Sequence, residues 1–201
     1  MERLIGIAGC MFSGKSEELL RRVVRSEIAG NNVLVFKPQI DDRWGKKDSV
    51  RSHAGSEHTA IRVEDPKDIL KFINGSTDID MVAIDEIQFM GPEIIPVINE
   101  LLEANIKVCF AGLPLDFRGE PFGQMPTLLT LADDIARLTA ICTYKDNGEI
   151  CGEDATRTQR LVNGEPAKYT DEIILIGAKE AYAPRCPNHH IVPGKPRPML
   201  K

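Results

Sequence analysis

The residues best placed to do chemistry form a short glycine-rich segment near the start of the chain. Residues 9–16 read GCMFSGKS and match the phosphate-loop pattern GxxxxGK[ST], directly after an apolar run that predicts a strand. Gly9 and Gly14 permit a tight turn, so that successive backbone N–H groups can point at a polyphosphate. We expect Lys15 to reach the β- and γ-phosphates and the Ser16 hydroxyl to bind a magnesium ion. The pattern therefore predicts binding of a nucleoside triphosphate.

Two acidic residues follow a second apolar run. Residues 81–84 read MVAI and predict a buried strand, and Asp85 and Glu86 come next. In phosphate-loop proteins an acid at the end of a neighbouring strand holds the magnesium, and Asp85 is the candidate. Glu86 could act as a general base that takes the proton of an attacking hydroxyl or water. The alternative interpretation is a polar exit from the strand without chemistry.

A third candidate segment, residues 112–123, reads GLPLDFRGEPFG and follows another predicted strand. Ligands of open α/β sheets bind beyond the carboxyl ends of the strands, so this segment could line a pocket for a flat ring. An ordinary turn with buried phenylalanines explains the composition equally well.

The C-terminal part holds a possible tetrahedral zinc site made of Cys142, Cys151, Cys186 and His189. Cys186 and His189 have the spacing of a ligand pair, whereas eight residues separate Cys142 from Cys151, more than the usual two to four. Asn147 and Gly148 are typical of a hairpin turn, which would return Cys151 to Cys142. His190 competes with His189, and free cysteines beside an unrelated histidine are the alternative.

Composition limits the class of protein. The 201 residues suffice for one α/β domain with a small appendage, and a net charge of −5 without a basic stripe disfavours nucleic acid as a partner. The chain has no apolar run near the roughly 18 residues of a membrane span, and the first predicted strand leaves no room for a signal peptide. Five cysteines, an odd number, argue against a disulfide framework. We therefore expect a cytoplasmic protein that acts on small molecules and contacts no membrane.

Strand and helix patterns alternate over residues 1–141. We predict strands at 4–8, 33–36, 59–63, 81–84, 106–111 and 137–141, and helices at 16–29, 65–73 and 92–104. Near-continuous apolar strands separated by helices predict an α/β fold, with a phosphate-loop NTPase-like parallel sheet flanked by helices. Residues 41–56 are predicted to be a long mobile loop. Residues 142–192 form a predicted small zinc-containing domain, and residues 193–201 a mobile tail.

These segments, taken in order, resemble thymidine kinases of the cellular type, the bacterial and human cytosolic class. The resemblance rests on the phosphate loop, on DEIQF at 85–89, on DFRGEPFG at 116–123, and on Cys186 and His189. Lys37 and Pro38, with Asp41 and Arg43, also fit. It implies ATP-dependent phosphorylation of the 5′-hydroxyl of thymidine to give thymidine monophosphate, the salvage of a precursor for DNA synthesis.

The resemblance also implies roles for individual residues. The catalytic residues would be Lys15, Arg43 near the transferred phosphoryl group, and the general base Glu86. The ATP-binding residues would be Gly9, Cys10, Met11, Phe12, Ser13, Gly14, Lys15, Ser16 and Asp85, with magnesium at Ser16 and Asp85. The thymine pocket would be formed by Met11, Phe89, Leu113, Phe117 and Phe122.

The segment between Cys151 and Cys186 resembles the family's lasso, a loop that closes over the nucleoside and is anchored by zinc. On it, Thr158 would face the base, Tyr182 would pack over the sugar, and backbone groups would bind the base edge at Ile174, Leu175, Ile176 and Gly177. The family resemblance further implies a homotetramer inhibited by thymidine triphosphate. Two departures are Cys10, where the family often has proline, and the wide spacing from Cys142 to Cys151.

Two other functions fit parts of the sequence. A phosphate-loop switch would bind a nucleoside triphosphate and signal by conformation without a nucleoside substrate; the predicted ring pocket disfavours it. A zinc-ribbon module for nucleic acid would occupy residues 142–201, but the negative net charge and the few aromatic residues there disfavour it.

Overall fold

The computed structural model describes residues 3–39, 49–51, 57–75, 78–174 and 181–196. The helices are α1 Lys15–Ile28, α2 Asp68–Asn74, α3 Ile94–Glu103 and α4 Met125–Leu131, with 3₁₀ turns at Ile87–Phe89 and Pro187–His189. The strands of the first two thirds are β1 Leu4–Gly9, β2 Val33–Pro38, β3 Ser49–Arg51, β4 Glu57–Thr59, β5 Ile61–Val63, β6 Met81–Ile84, β7 Lys107–Gly112 and β8 Asp134–Leu138. The shorter strands that follow are β9 Ala140–Ile141, β10 Lys145–Asp146, β11 Glu149–Ile150, β12 Asp154–Ala155, β13 Arg157–Val162, β14 Glu165–Pro166 and β15 Ala181–Arg185.

A six-stranded sheet forms the centre of the fold, in the order β5-β2-β6-β7-β1-β8. Every pairing in it is parallel, with Ile5 of β1 aligned to Cys109 of β7 and to Asp134 of β8. Parallel strands need helical crossovers that cover both faces, which explains why β1, β6 and β7 are buried almost throughout. The predicted α/β fold with a parallel sheet is confirmed.

The two faces of the sheet pack against different helices. On one face, Leu19, Leu20 and Val23 of α1 are buried against strand residues such as Ile7 and Ala83. On the other face, α2, α3 and α4 contribute apolar side chains to a second core around Phe36 and Phe110, namely Ile69, Ile94, Val97, Ile98, Leu101, Met125 and Leu128. The carboxyl ends of the strands are left for the loops that carry the candidate chemistry.

Residues after β8 build a C-terminal module from short antiparallel strands. β9 pairs with β12, β10 with β11, and β13 lies between β14 and β15. A third apolar cluster joins Ala140, Cys142, Ala155 and Cys186 of this module to Cys10 of the phosphate loop. The module is therefore packed directly on the nucleotide-binding end of the sheet.

Some element predictions differ from the structure. The predicted strand over 59–63 covers the last residue of β4 and the whole of β5. The predicted strand over 137–141 covers the end of β8 and the whole of β9. The predicted loop over 41–56 contains β3, which pairs with β4; the rest of that segment, 41–48 and 52–56, lies outside the described residues. Helix α4 was not predicted. Each helix of the described chain is too short or too polar to cross a bilayer.

Candidate active site

The phosphate loop connects β1 to α1 in a tightly folded turn. A Cβ atom on Gly9 would lie 2.4 Å from Ser13 Oγ and 2.6 Å from the Leu138 carbonyl oxygen, so only glycine fits there. Gly14 has a φ of 83°, a left-handed conformation that glycine adopts without strain. Helix α1 starts at the next residue, Lys15, so its N-terminal N–H groups and positive dipole end face the loop.

Two side chains of the loop region bind the same carbonyl group. The Ser13 hydroxyl donates to the Cys10 carbonyl oxygen over 2.8 Å, and Lys15 Nζ donates to that oxygen over 2.9 Å. Lys15 is only 8% exposed, so its ammonium group is held at the inner side of the loop. A buried cation beside a glycine-rich turn and a helix N-terminus is typical of a site for a polyphosphate.

Ser16 and Asp85 meet across the sheet edge. The Ser16 hydroxyl donates to Asp85 Oδ2 over 3.0 Å, although β7 lies between the strand that precedes the loop and the strand that precedes Asp85. The expectation that Asp85 follows a strand directly beside β1 was therefore wrong. Ser16, at the N-terminus of α1, reaches Asp85 across the end of β7. Hydroxyl and carboxylate oxygens are the ligands that Mg²⁺ prefers, so this pair fits a magnesium ion.

Glu86 occupies a strained backbone position, with φ 51° and ψ 39°. Asp85 Oδ1 accepts the Glu86 N–H over 3.0 Å, which helps to hold that conformation. Strained non-glycine residues cluster at active sites, where the surroundings hold them. The two adjacent carboxylates thus have different partners: Asp85 accepts from Ser16 and from the Glu86 N–H, and Glu86 accepts from Gln88.

A buried glutamine connects Glu86 to the segment at 112–123. Gln88 is 3% exposed; its Nε2 donates to Glu86 Oε2 over 2.5 Å, and its Oε1 accepts the Leu113 N–H over 3.0 Å. A Cβ on Gly112 would lie 2.8 Å from Gln88 Oε1, so the glycine makes room for this contact. One amide therefore sets the position of the candidate base relative to the candidate ring pocket.

Aromatic side chains lie beside this connection. The rings of Phe89 and Phe122 meet edge to face with centroids 5.4 Å apart. Phe117 is buried, and the guanidinium of Arg160 lies 5.2 Å from its ring centroid. Asp116 Oδ1 accepts the N–H groups of two later residues of the same segment, at 118 and 120, and so fixes its turn.

Three cysteines and one histidine converge in the C-terminal module. The ligand atoms of Cys142, Cys151, Cys186 and His189 lie within 4.8 Å of one another. His189 Nδ1 is 3.3 Å from Cys186 Sγ and 3.7 Å from Cys142 Sγ. Tetrahedral zinc with Zn–S bonds of about 2.3 Å places its ligand atoms about 3.5–3.8 Å apart, so the cluster fits zinc.

A hairpin resolves the wide spacing of the first two cysteines. β10 and β11 pair around Asn147 and Gly148, which have φ values of 49° and 90°, and the Cys151 N–H donates to the Tyr144 carbonyl over 2.8 Å. The predicted hairpin is confirmed. Burial opposes ionisation of the Cys142 thiol, but N–H groups from Cys186 and Tyr144 and the side chains of His189 and Cys151 lower its pKa to about 6. A thiolate is the form that binds metal.

The remaining predicted residues are distributed unevenly. Met11 and Thr158 are brought together, since the Met11 N–H donates to Thr158 Oγ1 over 3.1 Å. Tyr182 is half-buried on β15, and Ile174 is exposed at 42%. His190 Nε2 lies 2.8 Å from the Phe117 carbonyl oxygen, in contact with the ring-pocket segment. The predictions for Arg43, Leu175, Ile176 and Gly177 lie outside the described residues.

Two buried glutamines were missed from the sequence. Gln88 carried a signal, since it stands within the DEIQF segment, but its amide contacts depend on the fold. Gln159 is 2% exposed; its side chain donates to the Ile191 carbonyl and accepts the Ile191 N–H, each over 2.9 Å. No local pattern marks Gln159, because its partner is distant in sequence.

Fold and site together define a phosphate-loop nucleotide-binding α/β protein with a C-terminal module suited to metal. A family model described as thymidine kinase matches residues 3–190. Among curated relatives, a thymidine kinase of Coprothermobacter proteolyticus is 51% identical over 195 residues, which is 97% of this chain and 93% of that protein. Thymidine kinases of Deinococcus deserti and Deinococcus radiodurans are 49% and 47% identical, covering 92% and 90% of this chain and 93% and 87% of their own lengths.

The chain belongs to the thymidine kinase family, as its motifs predicted.

Proposed function

We propose that the protein is a nucleoside kinase that transfers the γ-phosphoryl group of ATP to the 5′-hydroxyl of thymidine. The observation that carries this proposal is that hydrogen bonds connect the phosphate loop to Asp85, and Glu86 to the segment at 112–123. The Ser16–Asp85 bond joins the loop to the end of β6, and Gln88 joins Glu86 to Leu113. The names of the relatives support thymidine as the nucleoside.

The residues divide the reaction between them. The loop N–H groups and Lys15 bind the β- and γ-phosphates, and the lysine leaves the Cys10 carbonyl to do so. Glu86 accepts the proton of the 5′-hydroxyl as the oxygen forms its bond to the γ-phosphorus. The bond from that phosphorus to the β-γ bridging oxygen breaks, and ADP leaves. A metal held by Ser16 and Asp85 would neutralise charge on the phosphates.

The base pocket is proposed to be formed by Met11, Phe89, Leu113, Phe117 and Phe122, with Thr158, Tyr182 and the backbone at 174–177 supplied by the lasso. Aromatic and aliphatic walls with few polar groups are typical of sites for planar ligands. Arg43 is proposed to act near the transferred phosphoryl group, on the strength of the family resemblance.

The structural role of the C-terminal cluster is proposed to be zinc binding by Cys142, Cys151, Cys186 and His189. His190 is not proposed as a ligand, since it contacts the Phe117 carbonyl. The family resemblance also supports a cytoplasmic homotetramer inhibited by thymidine triphosphate, as well as the division at residues 141 and 192.

A thermal-shift screen separates this function from that of a nucleotide switch. The protein is heated with ATP alone, with each nucleoside alone, and with both. We expect thymidine to raise the unfolding temperature without ATP, because ligands that bind the native state stabilise it. A response to nucleoside triphosphates alone, with none to any nucleoside, would support the switch.

A further inference from the structure

The phosphate loop is hydrogen-bonded to the C-terminal module at two consecutive residues. The Met11 N–H donates to Thr158 Oγ1 over 3.1 Å, and the Cys10 thiol lies 3.2 Å from the Ala155 carbonyl, to which it donates. Thr158 is 4% exposed and Ala155 is fully buried. The Cys10–Ala155 contact is therefore buried and the Met11–Thr158 contact is partly buried, and a hydrogen bond is stronger where water is excluded.

The same loop residues also orient the lysine. Cys10 gives its carbonyl to Lys15 Nζ and Ser13 Oγ, and its side chain to Ala155. A displacement of the backbone at residues 10 and 11 would thus move the carbonyl that holds Lys15 Nζ before ATP binds. The module is therefore connected to the resting position of Lys15 through Cys10.

The acceptors in the module are held firmly. Thr158 lies in β13, opposite Pro184 of β15, and Ala155 ends β12, opposite Ala140 of β9. Cys142 and Cys186 of the metal cluster pack in the same apolar cluster as Cys10. The phosphate loop is therefore bonded to a part of the module that strand pairing and apolar packing hold in place.

We propose that Thr158 is a positioning residue for the phosphate donor. Its hydroxyl holds the phosphate loop in the binding conformation, and it thereby links nucleoside binding at the module to ATP binding at the loop. The proposal rests on the proposed function for the identity of the two ligands. A loop that is ordered beforehand loses less conformational freedom when ATP binds, so affinity rises. A nucleoside that binds the module and strengthens the Thr158 contact would thus raise ATP affinity, and by linkage ATP would raise nucleoside affinity by the same factor.

The test measures ATP binding in the absence of nucleoside, where a contact of Thr158 with the base cannot contribute. Thr158→Val removes the acceptor and keeps the shape, and Thr158→Ser keeps the acceptor. We expect an ATP dissociation constant about fivefold higher for the valine variant, the effect of roughly one hydrogen bond, and close to wild type for the serine variant. Thr130→Val, which removes an exposed hydroxyl on α4, is the matched control and should not change ATP binding.

The second readout is thymidine affinity with and without a non-hydrolysable ATP analogue. In wild type the analogue should tighten thymidine binding, and in Thr158→Val this gain should fall. Cys10→Ala, which removes the other contact, should weaken ATP binding in the same direction and serves if the valine variant does not fold. Unchanged or tighter ATP binding by the folded variants would overturn the proposal. If the variants change ATP binding as expected but the wild-type protein does not phosphorylate thymidine, the proposed function alone would be refuted.

Discussion

Glu86 combines two features at the scale of single residues, a left-handed backbone and a carboxylate held by a buried amide. Both fix the carboxylate in one place, as a general base requires, because proton transfer needs a heavy-atom distance near 3 Å. Lys15 is held differently, by the carbonyl of a neighbouring loop residue. The two residues should therefore fail in different ways when they are replaced.

Glu86→Gln should reduce kcat by about 10² to 10⁴ while ATP still binds, because the proton acceptor is lost and the phosphate loop is intact. Lys15→Ala should weaken ATP binding as well as turnover. Single-turnover kinetics and equilibrium ATP binding distinguish the two. Near-normal chemistry in Glu86→Gln would show that another group is the base.

Gln88→Leu should lower kcat by more than it raises the thymidine KM. The substitution leaves Glu86 in place but removes the amide that orients it and that also binds the Leu113 N–H. Gln88→Glu, which keeps an acceptor for that N–H but places a second carboxylate beside Glu86, should be at least as impaired. Steady-state kinetics with thermal unfolding as a folding control measure this; a change confined to unfolding temperature would make Gln88 merely structural.

The sequence predicted the phosphate loop well because its geometry is local. Gly9, Gly14, Lys15 and Ser16 lie within one turn, so spacing alone implies their arrangement. Gln88 and Gln159 could not be assigned in this way, since a glutamine becomes informative only when its distant partners are known. Their importance follows from burial and from satisfied amide groups.

At the scale of elements, the hairpin β10–β11 explains how an unusual cysteine spacing is compatible with one cluster. The six residues between Tyr144 and Cys151 form the hairpin, so the chain returns to its starting point and the thiols of Cys142 and Cys151 stay close together. Asn-Gly predicted this turn because both residues adopt positive φ readily. The module has few large buried side chains, so a metal would contribute much of its stability.

We expect one zinc per chain in protein purified without chelator, and less in Cys151→Ser. Structural zinc contributes an apparent 10–16 kcal/mol, as a rough figure from small peptides, so its loss should also lower the unfolding temperature. Cys109→Ala, a buried cysteine outside the cluster, is the matched control and should keep its metal. Metal analysis that finds zinc-free native protein able to phosphorylate thymidine would refute the assignment.

Helix α1 carries a pH-dependent contribution to stability. The pKa of Glu18 is lowered to about 2, chiefly by the hydrogen bond from Arg21 at 2.6 Å; burial opposes this, and the bond from Arg22 at 2.8 Å adds to it. Because the pKa is lower in the folded state, ionised Glu18 stabilises the fold fully at pH values above its unfolded pKa near 4.5. This stabilisation is lost as the pH falls from 4.5 toward 2. Glu18→Gln should therefore cost about 0.5–1 kcal/mol at pH 7, since solvent screens the pair, and progressively less below pH 4.5. Urea unfolding of wild type and variant at pH 7 and at a pH below 4.5 measures the difference in the free energy of unfolding. An equal difference at the two pH values would contradict the prediction.

Most helices and strands of the sheet followed from periodicity, but α4 did not. It has seven residues and a proline in its first turn, and its buried side chains, Met125 and Leu128, give less than two turns of pattern. Its helical state depends on packing beneath β1 and is therefore a tertiary effect. In the C-terminal module, β13 has six residues, but three consecutive ones, Thr158, Gln159 and Arg160, are buried, so its burial does not alternate. The two-residue strands of the module are too short for alternation to show.

At the scale of the whole molecule, the sheet order brings separate parts of the chain to one edge. The phosphate loop, the end of β6 and the segment after β7 all lie at carboxyl ends, and the module is packed on the same end. Two ligands can thus approach each other from the loop and from the module. The site should discriminate between bases, because a pocket that contacts one edge of the base fits one ring shape and one pattern of hydrogen-bonding groups.

We expect thymidine to be phosphorylated far faster than deoxyadenosine or deoxyguanosine. A site that reads one base edge leaves buried polar groups unpaired with the wrong base, which costs it transition-state stabilisation. The ratio of kcat/KM values across the three nucleosides measures this preference. Comparable values for deoxyguanosine would contradict the proposed pocket.

The most direct test of the proposed reaction follows the labelled γ-phosphate of ATP in the presence of thymidine. We predict that the label appears in thymidine 5′-monophosphate, in step with the ADP formed, and that Glu86→Gln nearly abolishes this transfer. Label that remains in ATP, or that appears only as free phosphate when thymidine is present, would contradict it.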